Sequence, residues 1–159
     1  MNQEILNRLQ QFENLLIEFS ELRYIGDPIL RAQAQLVEVG EGIKTGKKLG
    51  DILIRYRKIT GYGRGLAAPQ IGIPKSVFVT YINNEVQIYI NPKITWVSEN
   101  FNFYRELCLS SGIISADVKR PDAIIMGWTD EKGNSKQEKA EDVKARLWQH
   151  EYDHLLGVC

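Results

Sequence analysis

Apolar residues recur at spacings of three and four toward both ends of the chain and at spacings of two in its middle, and this change of period divides it into elements. Ile5, Leu9, Phe12, Leu16 and Phe19, with Leu15 alongside, predict an amphipathic first helix. Gly26-Asp27-Pro28 reads as a turn, and Pro28 to Arg31 as a short piece after it. A second helical pattern runs from residue 47 to 60, with Leu49, Ile52, Leu53, Tyr56 and Ile59 on one face and a stop at Gly61; Gly40, Gly42 and Gly46 predict a loop before it.

After Pro74 the pattern changes to β-branched and aromatic residues in alternation: Val77 to Ile82, Val86 to Ile90, Ile94 to Val97, Phe101 to Tyr104, Ile113 to Val118 and Ala123 to Thr129. Asn83-Asn84 and Asp130 to Asn134 are turn signals between these runs, so the sheet is expected to be mostly antiparallel. Asp142 is expected to N-cap a last helix that ends near Gly157. The fold class is therefore α+β, with antiparallel strands in the middle and helices at either end.

Composition narrows this picture. At 159 residues the chain is expected to form one domain, residues 1–159, with residues 1–20 as a helical extension. Twenty basic side chains balance twenty acidic ones, which leaves no global field to attract nucleic acid or an anionic membrane. The first twenty residues are too charged for a signal peptide, and no apolar window is long enough to span a bilayer. Two distant cysteines make no disulfide framework, so a cytoplasmic enzyme is expected.

The chemistry concentrates in Gln149-His150-Glu151-Tyr152-Asp153-His154. Histidines at i and i+4 on a helix point both imidazoles at one ion, with Glu151 beside them. Val143 and Leu147 lead at helical spacing into this cluster, so it should face inward, where a divalent cation best compensates for its burial. These are the only histidines in the chain, so a third ligand must be a thiolate or a carboxylate. Cys108, in the apolar-flanked run Glu106 to Ser110 that reads as a strand, is a better candidate than Cys159, which is expected to fray. A second informative stretch, Gly61 to Gly72, sets three alternate glycines before Leu66-Ala67-Ala68-Pro69-Gln70. It lacks the Gly-Lys-Ser/Thr of a phosphate loop, and Pro69 interrupts the helix a dinucleotide site needs, so close packing beside a cleft is expected.

Three motifs in order, Gly63 to Gln70, Glu106 to Ser110 and Gln149 to Leu155, resemble the peptide deformylase family. The resemblance runs over about residues 24 to 158. It implies mostly antiparallel sheets around a central metal-binding helix, and one divalent metal held by Cys108, His150 and His154. Ferrous iron is the expected ion, with zinc, nickel and cobalt as alternatives. It further implies Glu151 as general acid/base, and Gln70 with the Leu109 amide as oxyanion donors. Gly63, Arg64, Gly65, Glu106, Leu107, Val143 and Leu147 are expected to line the substrate site. The implied substrate is a formyl-methionyl peptide, met as a nascent chain on the ribosome, with no nucleic acid or membrane as partner.

The sequence also departs from the family. Leu107 stands where the family has glycine, beside the metal cysteine, and could alter or close the cleft. Ser111-Gly112-Ile113 replaces an apolar-proline segment, and the chain lacks the family's further C-terminal segment; the first helix is expected to cover surface left open there. Arg120 is expected to pair with Glu106. Two alternatives follow from Leu107: hydrolysis of another formamide, or a binding role without catalysis. A metalloprotease is disfavoured, since five residues after His154 supply no further histidine or glutamate.

Overall fold

The computed structural model describes residues 3–159, with side chains from residue 9 onward; Ile5 of the expected first helix lies outside the described side chains. Helix α1 spans Gln3–Glu18, α2 Val39–Thr60 and α3 Asp142–Leu155. Strands are β1 Gly65–Ala67, β2 Val77–Ile82, β3 Glu85–Val97, β4 Phe101–Leu107, β5 Ser115–Pro121, β6 Ala123–Thr129 and β7 Ser135–Glu141. All named strand pairs are antiparallel, in a five-stranded sheet ordered β1-β2-β3-β6-β7 and a separate β4-β5 hairpin.

The large sheet is covered on both faces, and its side chains alternate between two cores. Leu66, Val77, Val79, Ile88 and Ile90 join Leu49, Leu53 and Tyr56 of α2. Ala67, Phe78, Tyr89, Ile124 and Met126 face Ala145, Trp148 and Leu155 of α3 instead. Tyr89 is the polar point of that second core: its hydroxyl accepts from Trp148 Nε1 at 3.0 Å and donates to Gln87 at 2.8 Å. Helix α3 thus lies between the large sheet and the hairpin, with one face toward each. From α1, Leu15 and the adjoining Phe19 enter the α2 core, and the Phe12 ring meets Tyr24 edge-on at 5.4 Å.

Several expected boundaries differ. The predicted loop at Gly40, Gly42 and Gly46 is the first half of α2. Gly42, Gly46 and Gly50 recur every four residues and form the stripe on which the helix lies against β3, where tight contact offsets their poor helix propensity. A Cβ at Gly42 would come within 2.6 Å of Ile90, and one at Gly46 would press on Ile88. The two runs Val86–Ile90 and Ile94–Val97 form one strand, β3, with bulges opposite β6. The run Ile113–Val118 is shifted, since Ile113 and Ile114 are exposed and β5 begins at Ser115.

Strand β7 went unpredicted. It is an edge strand whose side chains other than Ala140 are exposed, so no alternation marks it. Asp142 does not cap α3; it is the first helical residue, at φ 50°, and Glu141 is the N-cap without a side-chain bond. Replacing Gly46 with alanine should lower stability by about 1–3 kcal/mol, because overpacking against Ile88 exceeds the ~1 kcal/mol gain in propensity. Thermal unfolding checks this: a rise in Tm would show that α2 does not rest on its glycines.

Candidate metal centre and cleft

The period of α3 places His150 and His154 on one side, their ring centroids 5.1 Å apart. Glu151, on the adjoining face, is buried against β1. A Cβ at Gly65 would stand 2.5 Å from Glu151 Cδ, so only glycine leaves room for this carboxylate. Burial pushes the Glu151 carboxyl above its ordinary range, against the opposing pull of His150 and His154. Its Oε2 and His154 Nδ1 are buried without a hydrogen-bond partner among the described residues.

Cys108 comes from the hairpin. Strand β4 ends at Leu107, and Cys108 caps a 3-10 turn, Leu109–Ser111, in place of the predicted strand. The Ser111 amide and hydroxyl both donate to the Cys108 carbonyl, at 3.1 and 2.9 Å, which tightens the chain there. Cys108 Sγ lies 3.2 Å from His154 Nε2. Gln70 reaches the same point from the turn after β1. Its Oε1 accepts the Ala67 amide at 2.8 Å, which aims Nε2 at Ser110 Oγ (3.1 Å) and Cys108 Sγ (3.5 Å).

Glu106 ties these pieces together. Its carboxylate accepts two bonds from Arg120, at 2.7 and 2.9 Å, one from Arg146, and faces His150 Nδ1 at 2.8 Å. The expected Arg120–Glu106 pair is therefore present, and Arg120 also donates to Asp153 at 2.7 Å. Burial would raise the Glu106 carboxyl, but bonds from His150 and Arg120 outweigh it and hold the group well below the usual carboxylate range. With Nδ1 taken by Glu106, His150 has Nε2 left for an ion.

Among the described residues, the tight cluster of ligand-type atoms, all within 4.8 Å of one another, is Cys108, His154 and Cys159. Cys159 is thus not frayed away from the site, and His150 stands beside this cluster, not within it. The donors suit a divalent ion: a buried thiol with imidazoles is a set that zinc and ferrous iron accept.

A cleft of ≈ 360 Å³ opens beside Cys108, His150, Glu151 and Gln70. Gly63, Arg64, Gly65, Glu106, Leu107, Leu109, Val143 and Leu147 all border it. Val143 is 61% exposed and forms the rim, contrary to the inward stripe expected of it. Tyr62, Arg105 and Arg146 also line the cleft without having been singled out in the sequence, as does Tyr56, expected only on the apolar face of the second helix. Arg146 had a signal: it lies four residues before His150, hence on the same face.

A family model described as polypeptide deformylase matches residues 19–159. The chain belongs to the peptide deformylase family. Deformylases of Treponema pallidum and Prochlorococcus marinus are each 39% identical to it, over 87% and 85% of this chain and 83% and 68% of theirs. The crystal structure of the Thermotoga maritima deformylase superposes with a TM-score of 0.79 at 34% identity, covering 86% of this chain and 91% of that one. A probable deformylase from a Synechococcus phage gives 0.78 at 33%, covering 86% and 94%. The α+β architecture is shared with these deformylases, and the metal dependence of the family agrees with the Cys and His cluster. Helix α1 lies outside the span that the family model matches.

Exchanging Glu106 for Gln strips two arginines and His150 of their shared anion. Urea unfolding should show a loss of about 3–5 kcal/mol. Competition with a chelator should show zinc bound ~10–100-fold more weakly, because His150 loses its orienting partner. Wild-type zinc affinity in this variant would remove Glu106 from the metal centre.

Proposed function

We propose that the cleft removes the formyl group from formyl-methionyl peptides, using one divalent ion held by Cys108, His150 and His154. The observation that supports this is the meeting of the Cys108 thiol, the Gln70 amide and the buried Glu151 carboxylate at one end of an open cleft, with the His154 imidazole 3.2 Å from Cys108 Sγ. A divalent cation supplies the electrophile there, acidifying water and polarising the formyl carbonyl. The chain folds as one domain, and the ion is ferrous iron, which a thiolate with two imidazoles suits. The reaction takes place in the cytoplasm, on nascent chains at the ribosome.

The chain's own groups divide the work. Glu151, with its raised affinity for a proton, takes one from the attacking water and returns it to the departing peptide amine. Gln70 Nε2 is held in place by the Ala67 amide and donates to the developing oxyanion, with the Leu109 N–H at the start of its 3-10 turn as second donor. Leu107, Val143 and Leu147 give the cleft an apolar wall for the methionine side chain. Leu107 is 47% exposed and lies on the cleft without filling it, so it shapes specificity while leaving the entrance open.

Anaerobically purified protein should release formate from a formyl-Met tripeptide, and chelation of the metal should stop it. Glu151→Ala should reduce kcat by at least ~10²–10⁴-fold, and Gln70→Ala by about 10²–10³-fold. Leu107→Gly should change KM and the preference among first residues more than kcat. Formate release unchanged in Glu151→Ala would overturn the assignment, and activity confined to non-peptide formamides would redirect it to another substrate.

A further inference from the structure

Cys159 is brought to the metal centre by the way α3 ends. Gly157 adopts φ 76°, its N–H bonds the His154 carbonyl at 3.3 Å, and the Val158 N–H bonds the Asp153 carbonyl at 2.9 Å. These two bonds are the reversal that a left-handed glycine gives a helix C-terminus, and they return the chain to the level of His154. The reversal is also wedged from outside. A Cβ at Gly157 would lie 2.6 Å from the Arg31 carbonyl oxygen, and Ala34 N–H holds the Leu155 carbonyl at 2.8 Å.

The thiols of Cys159 and Cys108 and the His154 imidazole consequently lie within 4.8 Å of one another. Bound to one ion at ~2.3 Å for sulfur and ~2.0 Å for nitrogen, such atoms stand about 3.5–3.8 Å apart, so closure needs a contraction of about 1 Å at most. Cys159 approaches from the side away from the catalytic cleft. With Ile25, Val118, Arg120 and Asp153 it lines a second cavity of ≈ 340 Å³, which also borders Cys108, His150 and His154.

We propose that Cys159 is a metal ligand, a second thiolate that binds the ion from the face opposite the substrate cleft. The inference rests on the metal site proposed above and extends it. With Cys108, His150 and His154 this makes four protein ligands, so water or substrate would enter from the cleft side as a fifth, while two thiolates would neutralise a divalent cation and bias the site toward soft metals over magnesium or manganese.

Cobalt(II) reads thiolate ligation directly, through its near-ultraviolet sulfur-to-metal charge-transfer band, independently of turnover. The full chain, Cys159→Ser and Cys108→Ser would each be loaded anaerobically in reducing buffer. Band intensity per bound cobalt, metal stoichiometry and chelator competition would be measured, with formate release assayed in parallel. The wild type should show about twice the intensity of Cys159→Ser and bind cobalt at least ~10-fold more tightly. Gly157→Ala, which keeps the thiol but strains the reversal, should shift the band toward that of Cys159→Ser. Equal bands in wild type and Cys159→Ser would overturn the second thiolate and leave the Cys108 site standing. A wild-type protein that binds cobalt without any thiolate band would overturn both.

Discussion

A single partly buried carboxylate holds the functional end of this molecule together. Glu106 at the end of β4 faces His150 on α3, two bonds from Arg120 on β5 and one from Arg146 on α3. Each cation it binds also grips another element: Arg120 reaches Asp153, and Arg146 reaches the Val118 carbonyl and Asn102. Hairpin and helix are therefore joined by charge where the large sheet and α3 are joined by apolar packing. A buried ion-pair network of this kind adds little stability over a well-packed apolar core, but it loses a great deal when one member is removed. Its gain here is position. It fixes the ring of His150 and, two residues along the chain, the backbone that carries Cys108.

The other half of the centre depends on missing side chains. Gly65 leaves the space that Glu151 occupies, and Gly42, Gly46 and Gly50 let α2 lie close on β3. Close approach on one face of the sheet and an aromatic core of Phe78, Tyr89 and Trp148 on the other hold β1 firmly. The turn after β1 then presents Gln70 to Cys108 at a fixed angle. Three separate stretches of chain thus meet at one point, each held by contacts remote from the chemistry.

The chain is a metal-dependent hydrolase of the deformylase family, and the span that the family model matches, residues 19–159, takes in the sheet, the hairpin and α3. Helix α1 precedes the matched span. Helix α1 buries Leu15 in the α2 core and sets Phe12 against Gly112, where a Cβ would come within 2.8 Å of the ring. This contact explains why glycine follows the Cys108 turn, at φ 67°. Leu107, Phe12 and Leu15 border a further cavity next to the cleft. Among the described residues, no helix is long and apolar enough to cross a membrane.

The parts legible in the sequence were those written in local spacing. His150, Glu151 and His154 follow from the helical period, and the strands from alternation wherever both neighbours were covered. The order of the three motifs was enough to suggest the family. The glycines of α2 were misread because their helix propensity is poor, and only contact with Ile88 and Ile90 reveals why they are there. Strand β7 carries its pairing in the backbone and almost nothing in its side chains. The sharing of Glu106 by two arginines and His150, and the return of Cys159 to His154, join residues far apart in the chain or turned by a glycine cap. The sequence by itself determined which ligand-type residues exist and which helix face they occupy, because a period of 3.6 is a local property. Only the tertiary structure decided which of them meet, because that depends on how closely backbones can approach once side chains are packed between them.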